Sequence, residues 1–328
     1  MPAPVRRKLI FACLSLAVLA LVLAGAALAR NGGVAPPADT PQASRIRDLY
    51  WMLLGITGVI FILVEGALLL FIVRFRNAGR PRDAEGPQIR GHTRLELLWT
   101  AIPVLILAGI IAVVFYKLPG IKDIPAATAG GSKLTIHVEG RQFYWRYAYL
   151  NGAVSIDELR LPVDTPVDLV ITAPAYDVNH SWWVPALAGK MDAIPGKVNH
   201  LRFVTPGEPG VFRGECAEFC GVQHALMLAS VSVVSPTAYR TWLASQLQVT
   251  SDIGRMTFQG ACGPCHGMNG EGLIGPALRG NATLADPKRL KALLENGKGA
   301  MPPVGRRWSA HERAELAAYV RKEFGSGG

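Results

Sequence analysis

Two clusters in this chain have residue types and spacings that could do chemistry. Cys216, Cys220, His224 and Met227 follow one another as C-x3-C-x3-H-x2-M within a single short segment. Two thiolates, an imidazole and a thioether form a soft donor set, which selects copper over harder cations. Zinc sites favour C-x2–4-C with a second Cys or His pair and do not take Met. In an oxidising compartment Cys216 and Cys220 could instead close a disulfide, but His and Met at fixed offsets favour the metal. A blue-copper site uses one Cys, two His and a weak Met. Two Cys therefore point to two metals sharing bridging thiolates, and a second His must come from elsewhere. His180, at a strand end beside Trp182 and Trp183, is preferred. His137 and His200 are the alternatives, each read more simply as a strand or surface histidine.

The second cluster is Cys262-Gly-Pro-Cys265-His266, the C-x-x-C-H pattern of covalent c-type haem attachment. Its thiols would form thioethers and His266 would be the proximal iron ligand. No βαβ pattern surrounds it, so a thioredoxin-like redox pair fits poorly. A haem of high potential takes Met as its second axial ligand. Met268 is too near His266 to reach the opposite face, and Met256 precedes the motif. Met301, on a Pro-stiffened loop, is the choice.

The elements that carry these clusters begin in a membrane. Half of the 328 residues are hydrophobic and 18% are charged, against about 25% charged in soluble domains. That balance argues against disorder and against a wholly soluble enzyme. A net charge of +10 invites a nucleic-acid reading, yet residues 130–240 carry nine basic and ten acidic side chains and residues 250–328 carry eleven and seven. Arg74, Arg76, Arg80, Arg82, Arg90 and Arg94 lie between two apolar runs. A basic inner loop explains the excess better than a DNA-binding face.

Residues 1–29 have a basic start, an apolar middle and Ala27-Leu28-Ala29, the pattern of a signal peptide cut after Ala29. A retained anchor is the alternative. The apolar runs at about 49–73 and 95–116 each exceed the ~20 residues needed to span a bilayer. They predict a transmembrane hairpin over 45–120, its Arg-rich loop cytoplasmic and everything after Tyr116 outside. Glu65, inside the first run, reads as a protonated acid bonded to a neighbouring helix. Glu96 lies near the cytoplasmic interface, where a solvated acid needs no special role.

Outside the membrane, residues 130–240 show short alternating strands, with Val167, Leu169 and Ile171 in one and Ala229, Val231 and Val233 in another. They predict a β-sandwich or small barrel. Residues 241–249 are uncharged and read as a linker. Residues 250–328 read as an all-α domain. Asp286-Pro287 starts a helix with Leu290, Leu293 and Leu294 on one face and Gly297 at its end. Ser309 and Glu312 form a capping box for a last helix that buries Leu316, Tyr319 and Val320. The class is a multi-domain membrane protein: a two-helix hairpin, an exported all-β domain and an all-α tail.

The hairpin, the His180-Ser-Trp-Trp-Val-Pro185 segment, residues 191–196 and the Cys/His/Met loop together resemble subunit II of haem-copper cytochrome c oxidase over about residues 45–245. The tail resembles a small class I cytochrome c, and the combination resembles subunit II of a caa(3)-type oxidase. The resemblance implies a cupredoxin fold holding the binuclear CuA centre. Cys216 and Cys220 would bridge both coppers, His180 and His224 would bind one each, and Met227 and the Glu218 carbonyl would complete the set. The Glu218 side chain would face a magnesium site shared with subunit I. Glu96 would stand at the mouth of a proton path into subunit I. Electrons would pass from an external donor, cytochrome c or similar, through haem c to CuA and on to subunit I for oxygen reduction coupled to proton translocation. Other oxidase subunits would be partners, in the inner membrane, with the copper and haem domains on the periplasmic face. One departure is Gln142-Phe143-Tyr144-Trp145, where the family reads Gln-Trp-Tyr-Trp. Phe143 replaces the Trp that receives electrons from a soluble cytochrome c, which weakens direct docking, while Trp145 remains an electron-path candidate.

Two other readings are an electron-input subunit of a CuA-containing nitric oxide reductase and a membrane-tethered carrier with no catalytic partner. Against the carrier, Glu65 and Glu96 would face lipid. Nitrous oxide reductase also uses CuA, but the hairpin makes it a poor match. A tethered haem domain acts at high effective concentration. Its +4 charge against −1 on the copper domain predicts that Lys and Arg of the haem domain meet carboxylates near the copper, with electron transfer sensitive to ionic strength.

Overall fold

The computed structural model describes residues 35–75, 88, 90–124, 133–247, 253–306 and 308–325. Segment 1–29, expected as a signal peptide, with Cys13, and Arg76, Arg80 and Arg82 of the basic loop lie outside them. The chain divides into two compact units, the first containing residues 45–119 and the second residues 37–44 and 120–328.

Among the described residues, two helices are long and apolar enough to cross a membrane, α1 (Pro41–Phe75), most of which lies in the first unit, and α2 (Thr93–Lys117). Helix α1 starts well before Leu49, where the apolar run begins, because Pro41 suits a first helical turn. At the start of α2 the Leu95 amide donates to His92 Nδ1 and the His92 amide donates to Glu96 Oε1, at 3.2 and 3.0 Å. Glu96 thus shares a reciprocal N-terminal cap with His92.

Among the described residues, the second unit holds ten strands in two five-stranded sheets: β1 (Leu134–Arg141), β2 (Tyr144–Tyr149), β3 (Val154–Ile156), β4 (Glu158–Pro162), β5 (Pro166–Thr172), β6 (His180–Trp183), β7 (Met191–Ala193), β8 (Asn199–Val204), β9 (Gly210–Cys216) and β10 (Leu228–Val234). The sheet orders are β3-β2-β1-β5-β8 and β4-β10-β9-β6-β7. Pairing is antiparallel except for β1 with β5 and β4 with β10. Inward positions follow the two-residue period: Val167, Leu169 and Ile171 are fully buried, and Ala229, Val231 and Val233 nearly so. Trp182 Nε1 donates to the Tyr147 hydroxyl across the sheets at 3.0 Å.

Two acids in this domain behave in opposite ways. Buried Asp168 is ringed by Lys133, His200 and Arg202 at 2.7, 3.1 and 3.4 Å. These contacts outweigh the cost of burial and hold its carboxyl below the ordinary range. Asp157 turns the chain between β3 and β4 at a φ of 57° and accepts from the Trp145 amide at 2.8 Å. Burial pushes Asp157 up to about 7, with the amide bond opposing it. The folded chain therefore binds a proton that the unfolded chain releases between its ordinary value of 3.8 and about 7. Stability from this group is full below that window and is lost as pH rises through it. Asp157→Asn keeps the acceptor and tolerates the left-handed backbone. Discounted for the residue's partial exposure, the variant is expected to be more stable at pH 8 by on the order of 1–2 kcal/mol. Melting curves of both proteins between pH 5 and 8 check this, and parallel pH dependences would refute it.

Residues 241–247, expected as linker, are instead the larger part of helix α3 (Pro236–Leu247). Trp242 stacks edge-on against Tyr149 with ring centroids 5.2 Å apart, and Arg160 lies over its indole. That half-buried aromatic anchor explains why an uncharged segment is helical rather than extended. Beyond it are α4 (Ile253–Ala261), α5 (Gly263–His266), α6 (Pro287–Asn296) and α7 (Ala310–Phe324). The expected caps are in place. Asp286 accepts from the Lys288 and Arg289 amides, and Ser309 and Glu312 form a full capping box. Leu290, Leu294, Leu316 and Val320 are buried, Tyr319 partly so, and Phe324 completes the core. Helix α4 can cross α7 closely because Gly254 has no side chain; a Cβ there would lie 2.3 Å from the Glu315 carbonyl oxygen.

Candidate metal centre

Strand pairing joins residues far apart in sequence. Cys216, the last residue of β9, pairs opposite Trp182 of β6, which brings His180 at the start of β6 beside the thiol. The connection from Cys216 to β10 is the Cys/His/Met loop, closed by a bond from the Cys216 amide to the Met227 carbonyl at 2.9 Å. Gly221, at a φ of 133°, turns the chain between Cys220 and His224, and Gly140 leaves room beneath the His180 ring.

The donor atoms converge. Cys216 Sγ lies 4.0 Å from Cys220 Sγ and 3.9 Å from His180 Nδ1. Cys220 Sγ lies 3.5 Å from His224 Nδ1 and 3.8 Å from Met227 Sδ. The Glu218 carbonyl is 3.3 Å from Cys216 Sγ. His180, Cys216, Cys220 and Met227 are buried, and His224 is half-buried. A disulfide needs sulfurs about 2.0 Å apart; these thiols are free. Metal–thiolate bonds of about 2.3 Å would span the gap at an open angle, so the residues fit bridged metal ions. The Cys220 thiol hydrogen-bonds to Cys216 and draws it well below the ordinary thiol range, with His180 helping and burial opposing. The same bond and burial push Cys220 up.

Among the described residues, His180, Cys216 and Cys220 form the one group of three or more His, Cys, Asp or Glu side chains close enough to hold an ion. His200 is committed to Asp168, and His137 is exposed on β1. The Glu218 side chain is exposed. Trp145 is fully buried with its ring edge-on to His180, centroids 6.0 Å apart. Phe143 is buried against Gly221.

Sequence reasoning missed Asp177. Its Oδ1 faces His180 Nε2 at 3.2 Å, and its two oxygens accept from the Val178 and Gln142 amides at 2.7 and 3.2 Å. Burial opposes protonation of His180, but hydrogen bonds to Asp177 and Cys216 outweigh it and raise its pKa. Asp177 therefore fixes the ring with Nδ1 towards the sulfur. The D-x-x-H spacing was the available signal. Gln142 Nε2 donates to the Cys220 carbonyl at 2.5 Å and braces the loop. Asp177→Ala is expected to weaken copper binding about 10–100-fold, read by competition against a chelator. Unchanged affinity would remove Asp177 from the site.

In the C-x-x-C-H motif, α5 and its cap place Cys262, Cys265 and His266 on one helical turn, with the His266 amide bonded to the Cys262 carbonyl at 2.8 Å. His266 Nδ1 lies 2.7 Å from the Pro276 carbonyl. A carbonyl only accepts, so Nδ1 carries the proton and Nε2 is the nitrogen left for iron. Burial pushes the Cys262 thiol up to about 12. Met301 is half-buried in a turn bonded to Lys298, Met256 is buried in α4 and Met268 is exposed.

The two domains of this unit touch. Tyr176 donates to Glu312 Oε2 at 2.8 Å, and Arg141 pairs with Glu312 Oε1. The expected charge arrangement is reversed, because the cation sits on the β domain and the carboxylate on the helical one. Net domain charge failed as a guide because Glu312 is already fixed at the α7 cap, where it can face Arg141.

Fold and site together define a class: a chain with two apolar N-terminal helices, a cupredoxin-like domain bearing a thiolate-rich metal centre, and a helical cytochrome c domain. Residues 30–118 match the family profile of the cytochrome c oxidase subunit II transmembrane domain, and residues 153–234 that of its periplasmic domain. Residues 250–320 match that of cytochrome c oxidase, cbb3-type, subunit III. A cytochrome c oxidase subunit 2 from Alkalihalophilus pseudofirmus is 32% identical over 345 aligned positions, covering 94% of this chain and 95% of the relative. Relatives of the same description from Cereibacter sphaeroides and Synechocystis are 32% and 28% identical, over 63% and 70% of this chain and 78% and 80% of their own lengths. The chain belongs to the cytochrome c oxidase subunit II family and carries a cytochrome c domain behind the subunit II fold. It is part of an oxidoreductase complex, and its family and its tail imply copper and haem.

Proposed function

We propose that this chain is the electron inlet of a caa(3)-type oxidase in the inner membrane, taking electrons from an external donor and delivering them to subunit I. When bound, CuA and a covalent haem c would supply the one-electron carriers. The observation that supports this most is the convergence of two thiols, two imidazoles and a thioether in the β domain, which also touches the helical domain bearing the C-x-x-C-H motif.

His180, Cys216, Cys220, His224, Met227 and the Glu218 carbonyl would hold the copper. Asp177 orients His180, Gln142 braces Cys220, and buried Trp145 and Trp182 keep water from the centre. Cys262 and Cys265 would anchor the haem, His266 and Met301 would ligate its iron, and the Pro276 carbonyl would hold the His266 ring. The domains would run 45–120 for the hairpin, 130–240 for the copper domain and 250–328 for the cytochrome, behind a signal peptide at 1–29. Glu96 would line the mouth of a proton path and Glu218 would reach a shared magnesium; both roles need subunit I.

Purification of the tagged chain from membranes in mild detergent, with haem and metal analysis, tests the reading. Covalent haem c, haem a, copper beyond the CuA pair and oxygen uptake are the expected result. Haem b with non-haem iron would overturn it in favour of nitric oxide reduction.

A further inference from the structure

Gln223 is the residue before His224, and its side chain leaves the metal loop. Its Nε2 lies 3.7 Å from Sγ of Cys265, the second thiol of the haem-attachment motif. His224 Nδ1 is in turn 3.5 Å from Cys220 Sγ. One carboxamide side chain and one peptide unit therefore link the thiol of one centre to the imidazole of the other.

The surroundings hold that contact in place. Helix α4 packs on Tyr144 through Gly260, where an added Cβ would lie 2.4 Å from the ring. Arg141 and Tyr176 grip Glu312 from the opposite domain. Phe143 is buried and packed on Gly221, so it offers no open face to a partner.

We propose that Gln223 is the electron bridge between the two centres of this chain, spanning from Cys265 to His224. The inference rests on the haem and copper assignments above. In the step, the ferrous haem loses one electron and the oxidised copper pair gains it; no bond forms or breaks and no proton moves. A neutral amide suits the role, because it offers a polar hydrogen to sulfur without adding charge that would shift either potential.

The test uses the purified oxidase carrying Gln223→Ala or Gln223→Met. Rapid reduction of the haem, followed by the absorbances of both centres, reads the internal transfer rate. Pulsed magnetic resonance reads the dipolar coupling between ferric haem and oxidised copper, and hence their separation. In Gln223→Ala the transfer is expected to slow several-fold or more, because the carboxamide that reaches Cys265 Sγ is gone and its span becomes a gap, with copper and haem contents, haem potential and dipolar coupling unchanged. Gln223→Met, which restores the length, is expected to recover part of the rate. Wild-type transfer in a fully loaded Gln223→Ala enzyme would overturn the proposal. So would a changed dipolar coupling, which would make Gln223 a spacer between domains. A wild-type enzyme lacking either centre would instead sink the underlying assignment, and this inference with it.

Discussion

Replacing Cys220 by serine is expected to empty the copper centre while leaving the haem in place. Cys220 Sγ is the hub of the donor cluster, touching Cys216, His224 and Met227 at 4.0, 3.5 and 3.8 Å. A serine hydroxyl is harder, stays protonated at neutral pH and cannot bridge soft metal ions. Loss of an outer-shell partner already costs about 10–100-fold in metal affinity, so loss of a bridging ligand exceeds the upper end of that range. The substitution changes one buried atom and keeps the side chain's shape, so the sheets still form. Met227→Leu is the contrast. Leu fills the same buried space at a cost below about 1.5 kcal/mol, and removes only a single sulfur contact to Cys220. It is expected to retain copper with an altered spectrum. The copper-to-haem ratio of purified oxidase reads both variants. Full copper in Cys220→Ser would refute the bridging role, and complete loss in Met227→Leu would show that the thioether carries more of the site than its contact suggests.

What could be read from the sequence, and what could not, follows from the range of the interactions. Local signals held: the period-2 pattern placed Val167, Leu169 and Ile171 inward, and the Ser309 capping box is where spacing put it. The metal loop was legible because its donors lie within one short segment. Joining His180 to it required a strand pairing, β6 beside β9, that no local pattern encodes. Asp177 escaped because an exposed-looking acid in a turn acquires its role only when the fold buries it beside His180. Residues 241–247 were misread because the force that makes them a helix is Trp242 packing on Tyr149, a contact across nearly a hundred residues. The domain interface was misread because summed charge says little about which two side chains meet.

That interface changes the expected response to salt. Domain net charges predicted electron transfer that weakens as ionic strength rises. The Arg141–Glu312 pair is instead largely enclosed, with side chains 16% and 12% exposed, and enclosed pairs are screened much less than exposed ones. Tyr144, buried beneath α4, adds contact that salt does not touch. Transfer between the two centres is therefore expected to be nearly independent of ionic strength. Gly260→Val should do what salt cannot. Its Cβ would sit 2.4 Å from the Tyr144 ring, well inside van der Waals contact, and Tyr144 is itself buried. The helix must move away from β2, drawing Cys265 off Gln223. Electron transfer falls steeply as the gap between donor and acceptor widens, so opening this contact is expected to slow the transfer several-fold. Both centres should load normally, since Gly260 touches neither donor set. Transfer rates at low and high salt, measured on the same loaded Gly260→Val enzyme and its parent, separate the cases. A parent rate that falls steeply with salt would restore the electrostatic view, and a Gly260→Val rate equal to the parent's would show that electrons do not cross at this contact.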